Sequence, residues 1–226
     1  MKLSIIIPSF NESVTLPEII KRLQRVKLPI GKEIIVVDDG STDGTKKKLV
    51  KVGGVTKVFL KQNSGKGAAI RAGLAKVTGD YALIQDADLE YDPQDIPNLL
   101  QPVLQGKAVV VYGSRFSGPH RNMLFWHLMG NKLLSLVTNV LFNTTISDME
   151  VGYKLIPAKL LKSLRLESDR FGFEPEVTAK ILMKGIRIYE VPISYAGREF
   201  SEGKKITWRD GLQAFWLLCK YRLASF

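Results

Sequence analysis

The sequence predicts an α/β protein with a doubly wound, mostly parallel sheet and helices on both faces. Three observations predict it. Short, continuously apolar runs, typical of strands buried on both faces, recur from residue 3 onward. Stretches of helical periodicity separate these runs, and such alternation favours parallel strand pairing. Polar residues and glycines follow each of the first four runs, at the edge where open parallel sheets bind ligands.

The first half of the chain contains four strand–loop–helix units. Pro8 ends the first apolar run, and Thr15, Pro17 and Glu18 predict a helix start with Thr15 as the N-cap. Asp92, which precedes Pro93, is predicted to cap the helix after the fourth strand. The helix after the second strand is short and lysine-rich, and the helix after the third is alanine-rich. The four predicted strands span residues 3–7, 33–37, 56–60 and 81–85.

After a fifth strand at residues 108–113, the pattern changes. Residues 122–142 form a long, aromatic-rich helical stretch whose apolar residues cover more than one face. A core helix and a helix lying in a membrane interface both fit this stretch, and Trp126 near one end suits the second. An amphipathic helix is predicted at residues 207–223. Further strands are predicted at 153–156 and 186–191, and further helices near 159–163 and up to about residue 183.

Charge and cysteine content limit the partners and the compartment. The formal net charge is +11, which predicts an anionic partner: nucleic acid, phosphorylated small molecules or a membrane surface. Cys219 is the only cysteine, so a reducing compartment fits best. No signal peptide is recognisable, and no apolar run reaches the ~20 residues needed to span a bilayer. We therefore expect a cytoplasmic protein that is soluble or peripheral to a membrane.

Three acids follow the fourth strand at alternate positions: Asp86, Asp88 and Glu90. Side chains at i and i+2 lie on one face of an extended backbone, so these carboxylates could converge on one ion. Oxygen ligands suit Mg²⁺ or Mn²⁺. A solvated turn is the simpler interpretation of this stretch alone. It does not explain why acids and glycines follow every strand at the same edge.

A divalent ion beside glycine-rich loops suits a diphosphate, because the metal neutralises the charge on a leaving nucleoside diphosphate. Asp39 and Glu12 could accept hydrogen bonds from a base or a ribose, as acids do in nucleotide folds. Lys66, between two glycines, could pair with a phosphate.

A second basic cluster, Arg198 with Lys204 and Lys205, indicates a second anionic group. Together with Arg115 and the apolar helices, it could hold a phosphate whose carrier lies in a membrane. A phosphate oxygen is already ionised at neutral pH, so such an acceptor requires no general base. His120 and His127 are accordingly expected to be structural.

Taken in order, the motifs resemble the inverting glycosyltransferases with a GT-A fold. The later motifs narrow the resemblance to the dolichol-phosphate mannose synthases and related polyprenyl-phosphate sugar transferases. The motifs that resemble the GT-A glycosyltransferases are SIIIPSFNE at 4–12, VDDGSTDGT at 37–45, NSGKG at 63–67, DAD at 86–88 and GSR at 113–115. The later motifs that narrow the resemblance are SD at 147–148, GYK at 152–154, FE at 173–174 and GKKI at 203–206.

The resemblance implies metal-dependent transfer of a hexose, with inversion, from a nucleoside-diphosphate sugar to dolichyl or polyprenyl phosphate. GDP-mannose is the favoured donor and UDP-glucose a possible one. It implies one domain with a nucleotide-sugar half (1–115) and an acceptor half (116–226). The implied nucleotide-sugar residues are Pro8, Phe10, Glu12, Asp38, Asp39, Lys66 and Asp86. The implied metal is Mg²⁺ or Mn²⁺, and its implied ligands are Asp86, Asp88 and Glu90. The implied acceptor-phosphate residues are Arg115, Ser135, Arg198, Lys204 and Lys205, and the catalytic candidates are Asp86, Asp88, Arg115, Asp148 and Glu174.

The chain departs from the family pattern in three places. Several mannose synthases have glutamine at the position of Glu90. Some relatives hold the lipid phosphate with a second arginine in the helix after Arg115, where this chain offers Asn131, Lys132 and Ser135. Many bacterial relatives carry C-terminal transmembrane helices. We therefore expect peripheral attachment to the cytoplasmic face of a membrane, direct or through an anchoring partner protein.

Three alternatives remain. A glycosyltransferase with a sugar-hydroxyl acceptor, as in polysaccharide synthesis, would need a general base, for which Asp148 or Glu174 could serve. A phosphatase with an aspartyl nucleophile also has a strand-end Asp-x-Asp motif, but it keeps that motif on its first strand. A basic nucleic-acid-binding module explains the net charge, although acidic strand ends would repel phosphates, so we expect no nucleic-acid partner.

Overall fold

The structure, a computed structural model, describes residues 1–121, 123–198 and 208–224. These residues form one seven-stranded sheet with helices packed around it. The strands are β1 (Lys2–Ser9), β2 (Gly31–Asp38), β3 (Thr56–Phe59), β4 (Tyr81–Ile84), β5 (Val110–Ser114), β6 (Lys154–Pro157) and β7 (Ile188–Pro192). The helices are α1 (Thr15–Arg25), α2 (Thr45–Lys51), α3 (Lys66–Leu74), α4 (Ile96–Leu104), α5 (Phe125–Phe142), α6 (Ala158–Ser163), α7 (Phe173–Met183) and α8 (Trp208–Leu223).

The strands lie in the order β3-β2-β1-β4-β6-β5-β7. The pairs β1–β2, β1–β4, β2–β3 and β5–β7 are parallel, which confirms the predicted α/β class with a mostly parallel sheet. β6 differs, because it lies between β4 and β5 and runs antiparallel to both. This inserted strand brings the loop before it, residues 143–153, to the edge where β1, β2 and β4 end.

The core is centred on β1, as its continuously apolar sequence predicts. Ile5, Ile6 and Ile7 are fully buried, so both faces of the strand are covered. Burying each such side chain contributes roughly 1.5–3 kcal/mol. Because β1 is held on both sides by parallel neighbours, the position of its carboxyl end is firmly set.

Two predicted helix caps have different outcomes. Asp92 caps as predicted, accepting a hydrogen bond from the backbone N–H of Gln94 at 3.0 Å, but what it caps is a 3-10 turn that leads into α4 and not α4 itself. The predicted N-cap at Thr15 is wrong, because Thr15 is already the first residue of α1. Its hydroxyl instead donates to the Glu12 carboxylate at 2.7 Å, which fixes a side chain at the end of β1.

Helices α5 and α8 pack on each other and on α7 around a second, smaller apolar cluster that includes Met149, Leu217 and Leu218. Both helices also carry exposed apolar residues: Trp126 is 81% exposed and Trp208 is 72% exposed. α5 thus has a packed side and an exposed apolar side. The first fits a core helix, and the interpretation as a helix in a membrane interface stays a prediction. Within the described ranges, no helix is long and apolar enough to cross a bilayer. Asn122 and Thr207, the predicted first residues of these two helices, lie outside the described residues.

Candidate active site

A cavity of about 1210 Å³ opens at the carboxyl ends of β1, β2 and β4. Its wall combines charged side chains from the sheet edge and the start of α3 with apolar side chains from α5 and α8. Several residues singled out in the sequence border it. They are Pro8, Phe10, Glu12, Asp39, Lys66, Asp86, Asp88, Glu90, Arg115, Asn131, Glu174 and Arg198. Trp126 and His127, for which no role in the site was predicted, border it too.

Asp39 connects the ends of β1 and β2 to the loop before α3. Its Oδ1 accepts a hydrogen bond from the backbone N–H of Ser64 at 2.8 Å, and its Oδ2 accepts one from Gly65 at 2.7 Å. Burial raises the pKa of Asp39, although these two N–H groups act in the opposite direction. The loop at 63–65 is therefore held against the sheet end by backbone hydrogen bonds to one carboxylate.

Glycine is required at position 67, where α3 begins. A Cβ there would lie 2.0 Å from the backbone oxygen of Ser168, which leaves no room for any side chain. This close approach carries the segment at 168–171 to the cavity, where Arg170 and Phe171 form part of the wall.

Lys66 joins two carboxylates from different parts of the chain. Its Nζ lies 2.8 Å from Asp86 and 2.7 Å from Glu174. Burial disfavours the charge on Lys66, but the two carboxylates outweigh this effect and raise its pKa well above the usual value. The amine therefore remains a cation, placed where Asp86 begins the acidic stretch.

Arg198 lies among three acids at the same edge. Its guanidinium donates to Asp88 at 2.8 Å and to Glu90 at 3.3 Å, and lies 3.7 Å from Glu12. Glu90 also accepts hydrogen bonds from the Arg198 backbone N–H at 3.1 Å and from the Tyr195 hydroxyl at 3.0 Å. Burial and the nearby charges of Asp86 and Glu90 raise the pKa of Asp88 to about 7, against the effect of Arg198.

The predicted convergence of Asp86, Asp88 and Glu90 on one ion is not what the structure shows. Across residues 1–121, 123–198 and 208–224, no three His, Cys, Asp or Glu side chains are arranged around one position for a metal. The reason is the cations between them: Lys66 pairs with Asp86, and Arg198 pairs with Asp88 and Glu90. Asp86 and Asp88 still supply hard oxygen donors at the cavity wall, and the raised pKa of Asp88 reflects negative charge that a cation would stabilise. Two carboxylates fit Mg²⁺ or Mn²⁺, which take their remaining ligands from phosphates and water.

Arg115 is held by Asp148 in a two-pronged ion pair. Its Nε donates to Oδ2 at 2.7 Å and its Nη2 to Oδ1 at 2.6 Å, and its backbone N–H also donates to Oδ2 at 3.0 Å. Asp148 is fully buried and does not border the cavity, so its predicted role as a general base lacks access to substrate. It instead positions Arg115, which does border the cavity.

Several predicted residues are not brought to the cavity. Asp38 is buried at the end of β2 and does not border it. Ser135 is buried on α5, where its hydroxyl accepts a hydrogen bond from the backbone N–H of Met149 at 3.0 Å, because the loop before β6 packs there. Lys204 and Lys205 lie outside the described residues.

The segment 149–152, just before β6, carries Gly152, which belongs to the GYK motif, and a site residue that the sequence did not single out, Glu150. A Cβ at Gly152 would lie 2.4 Å from the Asp86 carboxylate, and the Gly152 backbone N–H donates to the Tyr91 hydroxyl at 3.0 Å. Glu150 borders the cavity, and its Oε1 is buried without a hydrogen-bond donor among the described residues. No local pattern marks Glu150, because only the antiparallel insertion of β6 brings it to the cavity.

Lys154, at the start of β6, holds this segment in place. Its buried Nζ donates to the backbone oxygens of Met149, at 2.8 Å, and Val151. The amine also lies 4.4 Å from the centre of the Tyr112 ring. Burial lowers the pKa of Lys154, while burial and the charge of Glu174 raise the pKa of Glu150 to about 8.

Comparison with known families gives one match over most of the chain. Residues 4–165 match the family described as Glycosyl transferase family 2. Among curated proteins, the chain is 29% identical over 210 residues to the undecaprenyl-phosphate 4-deoxy-4-formamido-L-arabinose transferases of Salmonella paratyphi B and Salmonella newport. The match covers 90% of this chain but 62% of those relatives, so the chain spans less than two thirds of their length.

Solved structures show the same fold. Glucosyl-3-phosphoglycerate synthase from Mycobacterium tuberculosis, in a crystal structure with Mn²⁺, uridine diphosphate and glucosyl-3-phosphoglycerate, superposes with a TM-score of 0.76 at 20% identity, covering 99% of this chain and 79% of that one. A second crystal structure of that enzyme, with Mg²⁺ and uridine diphosphate, gives a TM-score of 0.75 at 21% identity over the same shares. At this identity the likeness shows the GT-A fold alone.

Proposed function

Because the chain belongs to glycosyl transferase family 2, we propose that it transfers a hexose from a nucleoside-diphosphate sugar to the phosphate of a polyprenyl phosphate. One observation carries the proposal. A single cavity is bordered by strand-end acids, by the cations Arg115 and Arg198, and by exposed apolar helices. The undecaprenyl-phosphate relatives support the same class of acceptor.

On the donor side, Pro8, Phe10, Glu12 and Asp39 would surround the nucleoside, and Asp86 and Asp88 would hold a divalent cation. When bound, that cation would neutralise the diphosphate and stabilise the charge on the departing nucleoside diphosphate. Lys66 would add a fixed positive charge beside Asp86. Glu90, which holds Arg198 and Tyr195, would position Arg198 rather than bind the metal.

On the acceptor side, Arg115 and Arg198 would bind the lipid phosphate. Asp148 already orients Arg115, and the Arg115 side chain borders the cavity. Arg198 must first leave Asp88 before that carboxylate can ligate a cation. The freed guanidinium would then pair with the acceptor phosphate, since arginine suits two-pronged recognition of phosphate. Lys204 and Lys205 would extend this basic surface.

The reaction requires no general base. An acceptor phosphate oxygen, already ionised, would attack the anomeric carbon on the side opposite the diphosphate. The bond between that carbon and the acceptor oxygen forms as the bond to the diphosphate oxygen breaks, so the configuration inverts. A sugar-hydroxyl acceptor is less well supported, because Asp148 is paired with Arg115 and Glu174 with Lys66.

The exposed apolar faces of α5 and α8 support attachment to a membrane surface. Trp126, Phe215 and Trp208 border the cavity and are exposed, so a lipid acceptor could enter without leaving the bilayer interface. We place the enzyme on the cytoplasmic face of a membrane, held by these helices, by the net charge of +11, and by any anchoring partner. Residues 1–115 would then form the nucleotide-sugar half and 116–226 the acceptor half.

The test is a transfer assay with the full chain. Purified protein with Mn²⁺ or Mg²⁺ is incubated with labelled GDP-mannose, UDP-glucose and other nucleotide sugars, and with dolichyl or undecaprenyl phosphate. The proposal predicts label in the organic phase for one donor, dependent on the divalent cation and on the lipid phosphate. Label that stays in water with every donor, or that moves equally to the matching polyprenol, would reject it.

A further inference from the structure

Glu150 differs from the other acids around the cavity. Asp39 accepts two backbone N–H groups, Asp86 and Glu174 share Lys66, and Asp88 and Glu90 share Arg198. Among the carboxylates that border the cavity in the described parts of the chain, only Glu150 has a buried oxygen without a hydrogen-bond donor. Buried polar atoms are nearly always paired, so this exception requires an explanation.

The position of Glu150 is set by its neighbours on both sides. Lys154 binds the backbone oxygens of Met149 and Val151, which flank it in the chain. Two residues later, Gly152 packs against the Asp86 carboxylate. Two residues earlier, Asp148 pairs with Arg115. Glu150 therefore lies on a held segment between the Asp86 side of the cavity and the Arg115 side.

We propose that Glu150 hydrogen-bonds a hydroxyl group of the donor's hexose and contributes to the selection of that hexose. The proposal rests on the proposed function, in which the sugar must lie between the diphosphate at Asp86 and the acceptor phosphate at Arg115. A hexose in that position would lie beside Glu150, where the unpaired carboxyl oxygen could bind one of its hydroxyl groups.

A hydroxyl fits this position better than a phosphate does. Burial and the negative charge of Glu174 raise the pKa of Glu150 against the opposite effect of the cations Lys154 and Arg115, so its surroundings disfavour a further negative charge. The pKa of Glu150 is thereby raised to about 8, so near neutral pH the group is a neutral acid that can donate one hydrogen bond and accept another. A sugar hydroxyl also donates and accepts, so it complements either protonation state.

The consequence is selectivity among donors with the same nucleotide. A site that hydrogen-bonds a substrate hydroxyl rejects an analogue that lacks it, because its own polar group is then left unpaired. Replacing Glu150 should remove this penalty, so that the preferred hexose and its deoxy analogue or epimer are bound more nearly alike.

The experiment is calorimetric binding of UDP, UDP-glucose, GDP and GDP-mannose, with divalent cation, to wild type, Glu150→Met and Glu150→Gln. Methionine keeps the length of the side chain and removes its hydrogen bonds, whereas glutamine keeps both a donor and an acceptor. For the nucleotide that the wild type prefers, Glu150→Met should bind the nucleoside diphosphate within about twofold and the nucleotide sugar roughly 10- to 100-fold more weakly. Glu150→Gln should lie between Glu150→Met and wild type.

The matched control is Glu33→Gln, the same chemical change at the opposite edge of the sheet, where Glu33 binds Lys2, Ser4 and Thr78. It should lower the thermal midpoint and leave the ratio of the two affinities unchanged. Glu150→Met should keep a thermal midpoint no lower than that of the wild type, because it removes an unpaired buried group.

Two results would overturn the inference alone: an unchanged affinity ratio in Glu150→Met, or an equal loss of both affinities. A wild type that binds no nucleotide sugar would overturn the proposed function with it. Failure of the proposed transfer to the lipid alone would look different. In that case the sugar-specific loss at Glu150 would appear in binding, while no labelled lipid formed in the transfer assay.

Discussion

The carboxyl end of the sheet and the helices α5 and α8 border the same cavity, but their side chains are satisfied in different ways. At the sheet end, Asp39, Lys66 and Asp86 have their partners within the protein, at 2.7–2.8 Å. On the helices, Trp126 and Trp208 present more than two thirds of their surface to the outside. One region is ordered by its own polar contacts, and the other exposes apolar surface.

Under the proposed function, this difference corresponds to a division of labour between donor and acceptor binding. Groups that bind a charged, water-soluble donor must be held in place beforehand, and backbone-anchored carboxylates on a rigid sheet achieve this. A lipid acceptor supplies its own apolar contacts, so exposed aromatic side chains can remain unpartnered until the lipid or bilayer arrives. Arg198 connects the regions, because it is bound to the acids of the first and borders the cavity shared with the second.

The largest expected effect is that of Asp88→Asn at the sheet end. Turnover should fall by roughly 10³-fold or more, since the loss of one metal ligand removes several kcal/mol of charge stabilisation in the transition state. The thermal midpoint should change little, because the substitution also relieves repulsion between Asp88 and its neighbours Asp86 and Glu90. Steady-state kinetics and thermal unfolding measure the two quantities. Asp92→Asn, four residues on and away from the cavity, is the matched control and should keep full turnover; an active Asp88→Asn protein would contradict the metal role.

Arg198→Gln probes the connection between the two regions. The KM for polyprenyl phosphate should rise roughly 10- to 100-fold, the value of one charge-assisted hydrogen bond pair to phosphate. Affinity for Mn²⁺ with nucleotide should stay constant or increase, because the guanidinium no longer competes for Asp88. Electron paramagnetic resonance of Mn²⁺ reports that affinity. Arg187→Gln, which removes the same charge from an exposed position, should change neither value; a parallel fall in metal and acceptor binding would assign Arg198 to the donor side instead.

Trp126→Glu combined with Trp208→Glu tests the helix region alone. Binding to vesicles that contain anionic lipid should weaken by about tenfold or more, because two exposed aromatic side chains are replaced by charges that the interface disfavours. Turnover with a short, water-soluble prenyl phosphate should be retained. Sedimentation with vesicles measures the first quantity. Val50→Glu is the control at another exposed apolar position, on α2; unchanged vesicle binding in the double variant would make α5 and α8 ordinary surface helices.

Asp39→Asn should have the smallest effect, confined to the sheet end. The carboxylate of Asp39 accepts hydrogen bonds from two backbone N–H groups, one at each oxygen. In asparagine one of these oxygens is replaced by an NH₂ group, which is itself a donor and would face the second N–H group. The expected cost is about 1–3 kcal/mol, a fall in thermal midpoint of roughly 2–4 °C for each kcal/mol. Nucleoside diphosphate affinity should fall several-fold while vesicle binding stays constant. Asp80→Asn, at the other edge of the sheet, should leave nucleotide affinity unchanged.

Much of the sheet end could be predicted from the sequence. The apolar run of β1, the acids after β4 and the glycine-flanked Lys66 are local patterns with a local physical cause, and the parallel pairing brought them to one cavity. The resemblance to polyprenyl-phosphate sugar transferases is confirmed by the family match and the curated relatives.

The remaining features depend on contacts between distant parts of the chain. The pairings of Arg115 with Asp148 and of Ser135 with Met149 follow from where the loop before β6 packs, and no local pattern encodes that loop's position. The pairing of Lys66 with Glu174 depends likewise on where α7 begins relative to α3. The expected three-acid metal cluster omitted the cations Lys66 and Arg198, because a spacing of alternate acids says nothing about which bases fold against them.

The chemical nature of the acceptor atom is the central claim, and the mass and phosphorus spectra of the lipid product test it most directly. The full chain is supplied with its preferred donor, a divalent cation and an equimolar mixture of undecaprenyl phosphate and undecaprenol. The account predicts one lipid product, a hexosyl phosphodiester with a single phosphorus resonance, and unreacted undecaprenol. An undecaprenyl hexoside formed from undecaprenol, or a product that retains a free phosphate monoester, would contradict it.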